Sequence, residues 1–343
     1  MTGCRDVIQY DEGCKFYDEP PYNGAGWTVF VIFQALLTCL GLLFNGITAV
    51  TLQLNNDGFP AVTKVLYQHQ ACLDFLICVM GLGIILQPCL GQNTGIHAID
   101  HFLCHVWHGQ AFYWTWVLIS IWNIVYISFE RFGMIHYPIR HRNASVKYLC
   151  RGFCIIYALS FLFLIPEYFQ VKYDETDGKC YDEYYFKTTG WCGAMKIHGV
   201  FWFIISYALP IIIFMSLYMV TVCKLRDHQR QQSNVFRNAV YKRTNDHITR
   251  SAIAITICFV ISQSTDAWAY LLNRSNIYQN YARNSPQQTT MLFLTTLNSC
   301  INPIIYCVSL APFRVSLRKT FRRGFLTKYI DPPSSFLNRQ EQN

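Results

Sequence analysis

Residues 104–138 read CHVWHGQAFYWTWVLISIWNIVYISFERFGMIHYP, and this stretch decides the fold. A cysteine stands at one end, the triplet Glu130–Arg131–Phe132 at the other, and a long apolar run lies between. Tyr113, Val117, Ser120, Ile124, Ile127 and Arg131 follow one another at intervals of four, three, four, three and four. On a helix of about 3.6 residues per turn these side chains form one continuous stripe, from an aromatic ring through a lone hydroxyl to a guanidinium. The run exceeds the roughly 20 apolar residues that carry a helix across a bilayer. A buried helix of a soluble core has a similar face, but this chain repeats a run of that length six more times.

The composition agrees. Of 343 residues, 52% are hydrophobic and 14% charged, against about 25% charged in ordinary soluble domains. The charges cluster between the apolar runs, which indicates one polytopic membrane domain. The runs predict spans at Trp27–Leu54, Thr63–Cys89, His101–Met134, Lys147–Phe169, Ile197–Cys223, His247–Leu272 and Gln287–Leu310. The expected fold is therefore an all-α membrane protein, a seven-transmembrane helix bundle over residues 27–310. Segment 1–26 carries five acidic residues and no basic region leading into a short apolar core, so the first span is expected to act as its own insertion signal.

Loop charges set the orientation. Segments 130–151, 223–250 and 311–343 carry 5, 7 and 7 Lys plus Arg against 1, 2 and 2 acids, whereas 167–196 holds six acids and four bases. Basic loops stay on the cytosolic side. A multi-pass plasma-membrane protein with residues 1–26 extracellular and 311–343 cytoplasmic is expected. Within the tail, Phe313, Leu317 and Phe321 recur at four-residue spacing among Arg and Lys in PFRVSLRKTFRR, predicting a short amphipathic eighth helix on the lipid head groups. Of the fifteen cysteines, most lie inside apolar runs and act as small hydrophobes. Cys4, Cys14, Cys104, Cys180 and Cys192 fall in the segments where disulfides form.

Polar residues inside the spans each need a reason, since an ionisable group there costs about 2.5–3.5 kcal/mol on insertion scales. Asp74 sits in HQACLDFLICVMG, Ser120 at mid-depth of span three, Asn298, Ser299 and Asn302 in LNSCINPIIY, and Asn45 at similar depth in span one. Converging carboxylate, hydroxyl and amide oxygens suit a small hard cation or a buried water network. Interhelical hydrogen bonding without an ion is the alternative, and the residues leave both open. Pro210 and Pro303 remove a backbone hydrogen bond and kink their helices; Asn302 is placed to satisfy the carbonyl that Pro303 frees. Gln263, Asp266 and Tyr270 share a face of span six, and with Tyr113, Val117, Thr295 and Thr296 they outline a ligand pocket with one carboxylate.

These motifs, in this order, make the chain resemble a rhodopsin-like (class A) G-protein-coupled receptor over residues 27–323. Phe44–Asn45, Leu73–Asp74, Cys104, Glu130–Arg131–Phe132, Pro210, Tyr218 and the unbroken Asn302–Pro303–Ile304–Ile305–Tyr306 carry the resemblance. It implies a disulfide from Cys104 to Cys180, with Cys192 the lesser candidate. It implies a sodium and water site at Asp74, Ser120, Asn298, Ser299 and Asn302, as a structural ion and not a cofactor of chemistry. It assigns Ile121, Pro210 and Phe259 to a core packing switch. Glu130 would hold Arg131 at rest, and Tyr218 and Tyr306 would receive that helix end on activation. Position 245 is Asn, so an acidic partner on span six is missing and measurable basal activity is expected.

Departures accompany the matches. The family's FxxCWxP reads Phe259–Val260–Ile261–Ser262–Gln263–Ser264–Thr265, without the Trp and the Pro. Span three is two residues longer between Cys104 and Arg131 than the family pattern, and Tyr157 replaces a Trp in span four. Thr296 stands where an opsin has its retinal-binding Lys, and Tyr113 where amine receptors have an Asp. Asp174, Glu175, Asp177, Asp182 and Glu183 make the second outer loop acidic, a field that attracts cations. The expected function is transduction of an extracellular ligand, a basic peptide of the neuropeptide kind, to a heterotrimeric G protein. A ligand-gated channel or transporter, or a receptor with reduced coupling, is the alternative. A catalytic cluster is absent from the spans, and no nucleic-acid partner is expected.

Overall fold

The computed structural model describes residues 25–55, 60–90, 94–137, 146–176, 178–182, 189–231, 237–275, 277 and 285–330. The N-terminal segment with Cys4 and Cys14 and the end of the tail lie outside the described residues. Seven spans form a helical bundle. They are α1 (Ala25–Leu54), α2 (Ala61–Leu90), α3–α4 (His97–Leu103 and Ala111–His136), α5 (Val146–Phe163), α7–α8 (Thr189–Phe203 and Leu209–Gln231), α9 (Arg237–Arg274) and α10 (Pro286–Ser309). A single turn, α6 (Ile165–Tyr168), follows α5, and α11 (Ala311–Ile330) is the eighth helix.

Helix α4 is the hub. It packs against α2, α5, α8 and α9, while α10 fills the space between α1, α2 and α9. Tyr113, Val117, Ser120, Ile124, Ile127 and Arg131 are all buried, each at most 5% exposed. Helix α1 shows how a bilayer inverts amphipathy. Gln34, Thr38, Gly41, Asn45, Thr48 and Thr51 face the bundle, and Val29, Phe33, Leu36, Leu40, Leu43 and Val50 face outward. Lipid tails solvate leucine as well as a core does, so close packing of small and polar residues drives helix association. At Gly41 an added Cβ would lie 2.4 Å from the Cys300 thiol, so the approach of α1 to α10 depends on that glycine.

Three features correct the sequence reading. Span three is not one continuous helix. Cys104–His108 forms a π turn, and Gln110 takes a left-handed backbone conformation (φ 57°) before α4 begins. This break lies ahead of the stripe, and Gln110 is fixed in place from another helix. Its amide is held from α10 by reciprocal bonds with Gln288, 3.1 and 3.4 Å. Span four is shorter than expected and ends at Phe163, because Pro166 opens the next turn. In span five a π turn at Ile204–Ala208 precedes Pro210, which adjusts the backbone to the missing N–H.

Between spans four and five, β1 (Val171–Asp174) pairs antiparallel with β2 (Lys179–Asp182), with Tyr173 opposite Cys180. Cys180 is disulfide-bonded to Cys104, which joins the hairpin to the π turn. Asp100 on α3 accepts from the Thr94 amide and hydroxyl at 2.8 and 2.7 Å and pins the preceding loop. In α11, Phe313 is buried against the bundle and Phe321 is exposed, with Leu317 packed on the core, so the helix lies with one apolar face inward.

Candidate functional site

At the end of the bundle opposite the disulfide, Arg131 meets Glu130 with Nε 2.9 Å from Oε2, both side chains at most 4% exposed. Thr63 on α2 donates to the other Glu130 oxygen at 2.6 Å. The Arg131 guanidinium also lies over the Tyr67 ring, 5.6 Å from its centroid. Tyr67 in turn packs edge-on against Tyr306 at 5.0 Å, and Tyr306 against Phe313 at 6.2 Å. Tyr218 is elsewhere: its hydroxyl bridges Ser128 on α4 and Thr256 on α9, at 3.1 and 3.2 Å. Neither Tyr218 nor Tyr306 hydrogen-bonds to Arg131 among the described residues. A buried guanidinium paired this closely is strongly held, since stranding one partner of such a pair costs about 3–5 kcal/mol. The side chain at position 245 lies outside the described residues.

At mid-depth, polar side chains join four spans. The Tyr157 hydroxyl on α5 is 3.0 Å from His69 Nε2, and His69 Nδ1 is 2.9 Å from Asn123 Oδ1. Asn123 donates to Gln70 Oε1 at 2.8 Å, and Gln70 Nε2 donates to Asp74 Oδ1 at 3.0 Å and to Ser120 Oγ at 2.6 Å. Asn302 donates to Asp74 Oδ2 at 2.7 Å. Of the expected ion-site residues, Asp74, Ser120 and Asn302 are thus brought together; Ser299 also reaches the carboxylate. Asn298 is buried but does not hydrogen-bond to Asp74 among the described residues. Asn302 therefore does not serve the carbonyl that Pro303 frees. Asn45 does: its Nδ2 lies 3.0 Å from the Ser299 carbonyl, the group four residues before Pro303.

Above this layer, Ile121 and Phe259 lie in one apolar core with Phe214, whose ring meets Phe259 edge-on at 5.7 Å; Pro210 is buried as well. Toward the disulfide end, the Tyr113 hydroxyl is 3.0 Å from Thr296 Oγ1 and 3.3 Å from the Leu292 carbonyl, so two expected pocket residues are bonded to each other across α4 and α10. Val117, Gln263, Asp266 and Thr295 are buried around them, with Asp266 within electrostatic reach of Tyr113. Tyr270 is drawn away from this group. It donates to Glu167 on α6, and its ring lies under Arg274, 4.8 Å from the guanidinium carbon. His198 Nδ1 is 3.5 Å from Glu167 and Arg274 Nη2 3.8 Å from it, making a charged cluster where α6, α7 and α9 meet. Trp202 bridges the two groups, edge-on to both Tyr270 and Trp114, and Trp114 meets Tyr113 at 5.1 Å.

The family model for the seven-transmembrane receptors of the rhodopsin family matches residues 45–306, from the Asn45 bridge to the buried Tyr306. The chain belongs to that family. The receptor is 22% identical to a lateral eye opsin of Limulus polyphemus, covering 89% of this chain and 82% of the opsin. It is 24% identical to galanin receptor 2b of Danio rerio, covering 87% and 76%. It is 25% identical to the human platelet-activating factor receptor, covering 86% of each. These relatives are receptors and not enzymes, and the receptor is a multi-pass membrane protein.

Several site residues escaped the sequence reading: Thr63, Tyr67, His69, Gln70, Asn123, Glu167 and His198. A signal existed for Gln70, which stands four residues before Asp74 and so on the same helix face. Tyr67 and Thr63 continue that face at intervals of three and four. For Glu167 and His198 no periodicity in one span could pair them with Tyr270, because the three residues come from three different segments.

Proposed function

We propose that the receptor binds a cationic extracellular ligand, a basic peptide, and couples that binding to nucleotide exchange on a heterotrimeric G protein. The observation that carries this reading is the buried Glu130–Arg131 pair at the end of the stripe. It is a restraint with two alternatives, clasped or released, at the end of the bundle that the basic loops assign to the cytosol. A ligand that prefers the released arrangement shifts the population toward it. Residues 1–26 are then extracellular, together with the disulfide-bonded hairpin.

The ligand reading rests on charge and on absent chemistry. Asp174 and Glu175 lie on the hairpin, and Asp266 is buried below it. Thr296 offers a hydroxyl already engaged by Tyr113, so no amine is present there to hold an aldehyde ligand, whatever the likeness to opsins. The named relatives span galanin and platelet-activating factor, so the screen includes peptides, amines and lipids.

The test is nucleotide exchange on a panel of G proteins by surface-expressed receptor, with Arg131→Ala beside the wild type. The expected result is a response to basic peptides that the variant loses. A response to lipids alone would replace the ligand reading. Silence of a well-expressed wild type across the panel would favour the alternative, a receptor with reduced coupling, and point to Gln263 and Thr265 in place of the family's Trp and Pro.

A further inference from the structure

The mid-depth network has a direction that its own geometry fixes. Asn123 Nδ2 lies 3.2 Å from the Leu66 carbonyl, so that atom is the amide nitrogen and its Oδ1 is an acceptor. Gln70 then accepts from Asn123 at Oε1 and presents its NH2 group to Asp74 and Ser120. His69 donates from Nδ1 to Asn123 Oδ1, and its other nitrogen accepts from Tyr157. One unbroken run of donors leads from Tyr157 on α5 to Asp74. Both hydrogens of the Gln70 amide are used, and so is its oxygen.

The family resemblance implies a sodium ion bound between Asp74 and Ser120. The residues present do not fit that ion. A cation bridging Asp74 Oδ1 and Ser120 Oγ draws on the lone pairs of those two atoms, and the Gln70 nitrogen is 3.0 and 2.6 Å from them. Its positively polarised hydrogens occupy the directions a cation would use and repel one that approaches. The other carboxylate oxygen faces a second amide, Asn302.

We propose that the Gln70 side-chain amide stands in the place of the family's sodium ion, held by Asn123, His69 and Tyr157, so that the receptor's stability and conformational balance are indifferent to sodium. Gln70 is a positioning residue in this scheme: it binds no ligand and fixes the carboxylate that α10 meets. The substitution is a collective one. A glutamine alone has free torsions, and the bond to Asn123 is what turns its nitrogen toward the carboxylate.

The test is thermal unfolding of the purified full chain in detergent, titrated with sodium chloride against potassium chloride at equal ionic strength. It needs no ligand or G protein, so it stands or falls separately from the functional reading. Wild type is expected to show the same Tm in both salts, and Gln70→Leu to gain a saturable, sodium-specific rise that Asp74→Asn abolishes. A sodium-specific rise in wild type that Asp74→Asn removes would overturn the proposal. So would a folded Gln70→Leu protein that remains indifferent to sodium. If Gln70→Leu does not fold, Asn123→Ala, which frees the Gln70 amide to turn away, is read in the same way.

Discussion

Asp174 accepts both the hydroxyl and the amide of Thr176 at Oδ1, 2.6 and 2.8 Å. Those two donors, the hydroxyl first, hold its carboxyl below the usual aspartate value. A carboxyl whose folded value is depressed stabilises its turn fully at neutral pH and loses that contribution as pH falls through the depressed value. The turn and its negative charge therefore persist to lower pH than an ordinary aspartate would allow. Amide exchange at Thr176, followed down the pH scale, is expected to stay slow past the normal carboxylate range. In Thr176→Ala the protection should be lost at higher pH. The carboxylate was legible in the sequence as one of a crowd of acids. That its neighbour two positions on would hold its charge was not, because nothing in the run of acids marks Asp174 as the one at the turn of the hairpin.

At the scale of elements, the junction of α1 with α10 is the informative case. Pro303 has no N–H, so the Ser299 carbonyl loses its helical partner inside the bilayer, where water cannot replace it. Asn45 supplies the donor from another helix. The freed carbonyl was readable from one proline in an apolar run; the residue that serves it was not, because Asn302 is adjacent in sequence and Asn45 is adjacent only in space. Asn45→Ala is expected to lower stability by about 0.6 kcal/mol and at most about 1.7 kcal/mol, the range of interhelical side-chain bonds in membranes. In a Pro303→Ala background, where the backbone donor returns, the same change should cost less. A double-mutant cycle by thermal unfolding measures that coupling; additive costs would mean that Asn45 acts through something other than this carbonyl.

For the whole molecule, the polar layers are stacked along α4: the charged cluster and the Tyr113–Thr296 contact at one end, the amide network in the middle, the Arg131 clasp at the other. Glu130→Gln keeps an acceptor for Thr63 and removes the charge opposite Arg131. Basal nucleotide exchange is expected to rise about 5-fold or more, the lower end of ordinary coupling energies. Unchanged basal exchange at equal surface level would mean that the clasp does not hold the resting state. The bundle, its span count and most of the stripe were legible because bilayer thickness forces long apolar runs and one face of each must be buried. What was hidden is how the spans meet, since partners such as His69 with Tyr157, or Glu167 with His198 and Tyr270, are set by helix rotation that no single span records.

The break in span three bears on how this chain is to be compared with, or spliced to, its relatives. Two added residues in an uninterrupted helix would swing everything after them by about 200°, carrying Ser120 and Arg131 to the lipid side. The π turn and the left-handed Gln110 interrupt the span, so the helical phase of the stripe is set from Ala111 onward and not from Cys104. A chimera cut at Ala111 keeps donor and host in phase, whereas one cut at Cys104 and matched residue for residue would be out of phase over the remaining helix.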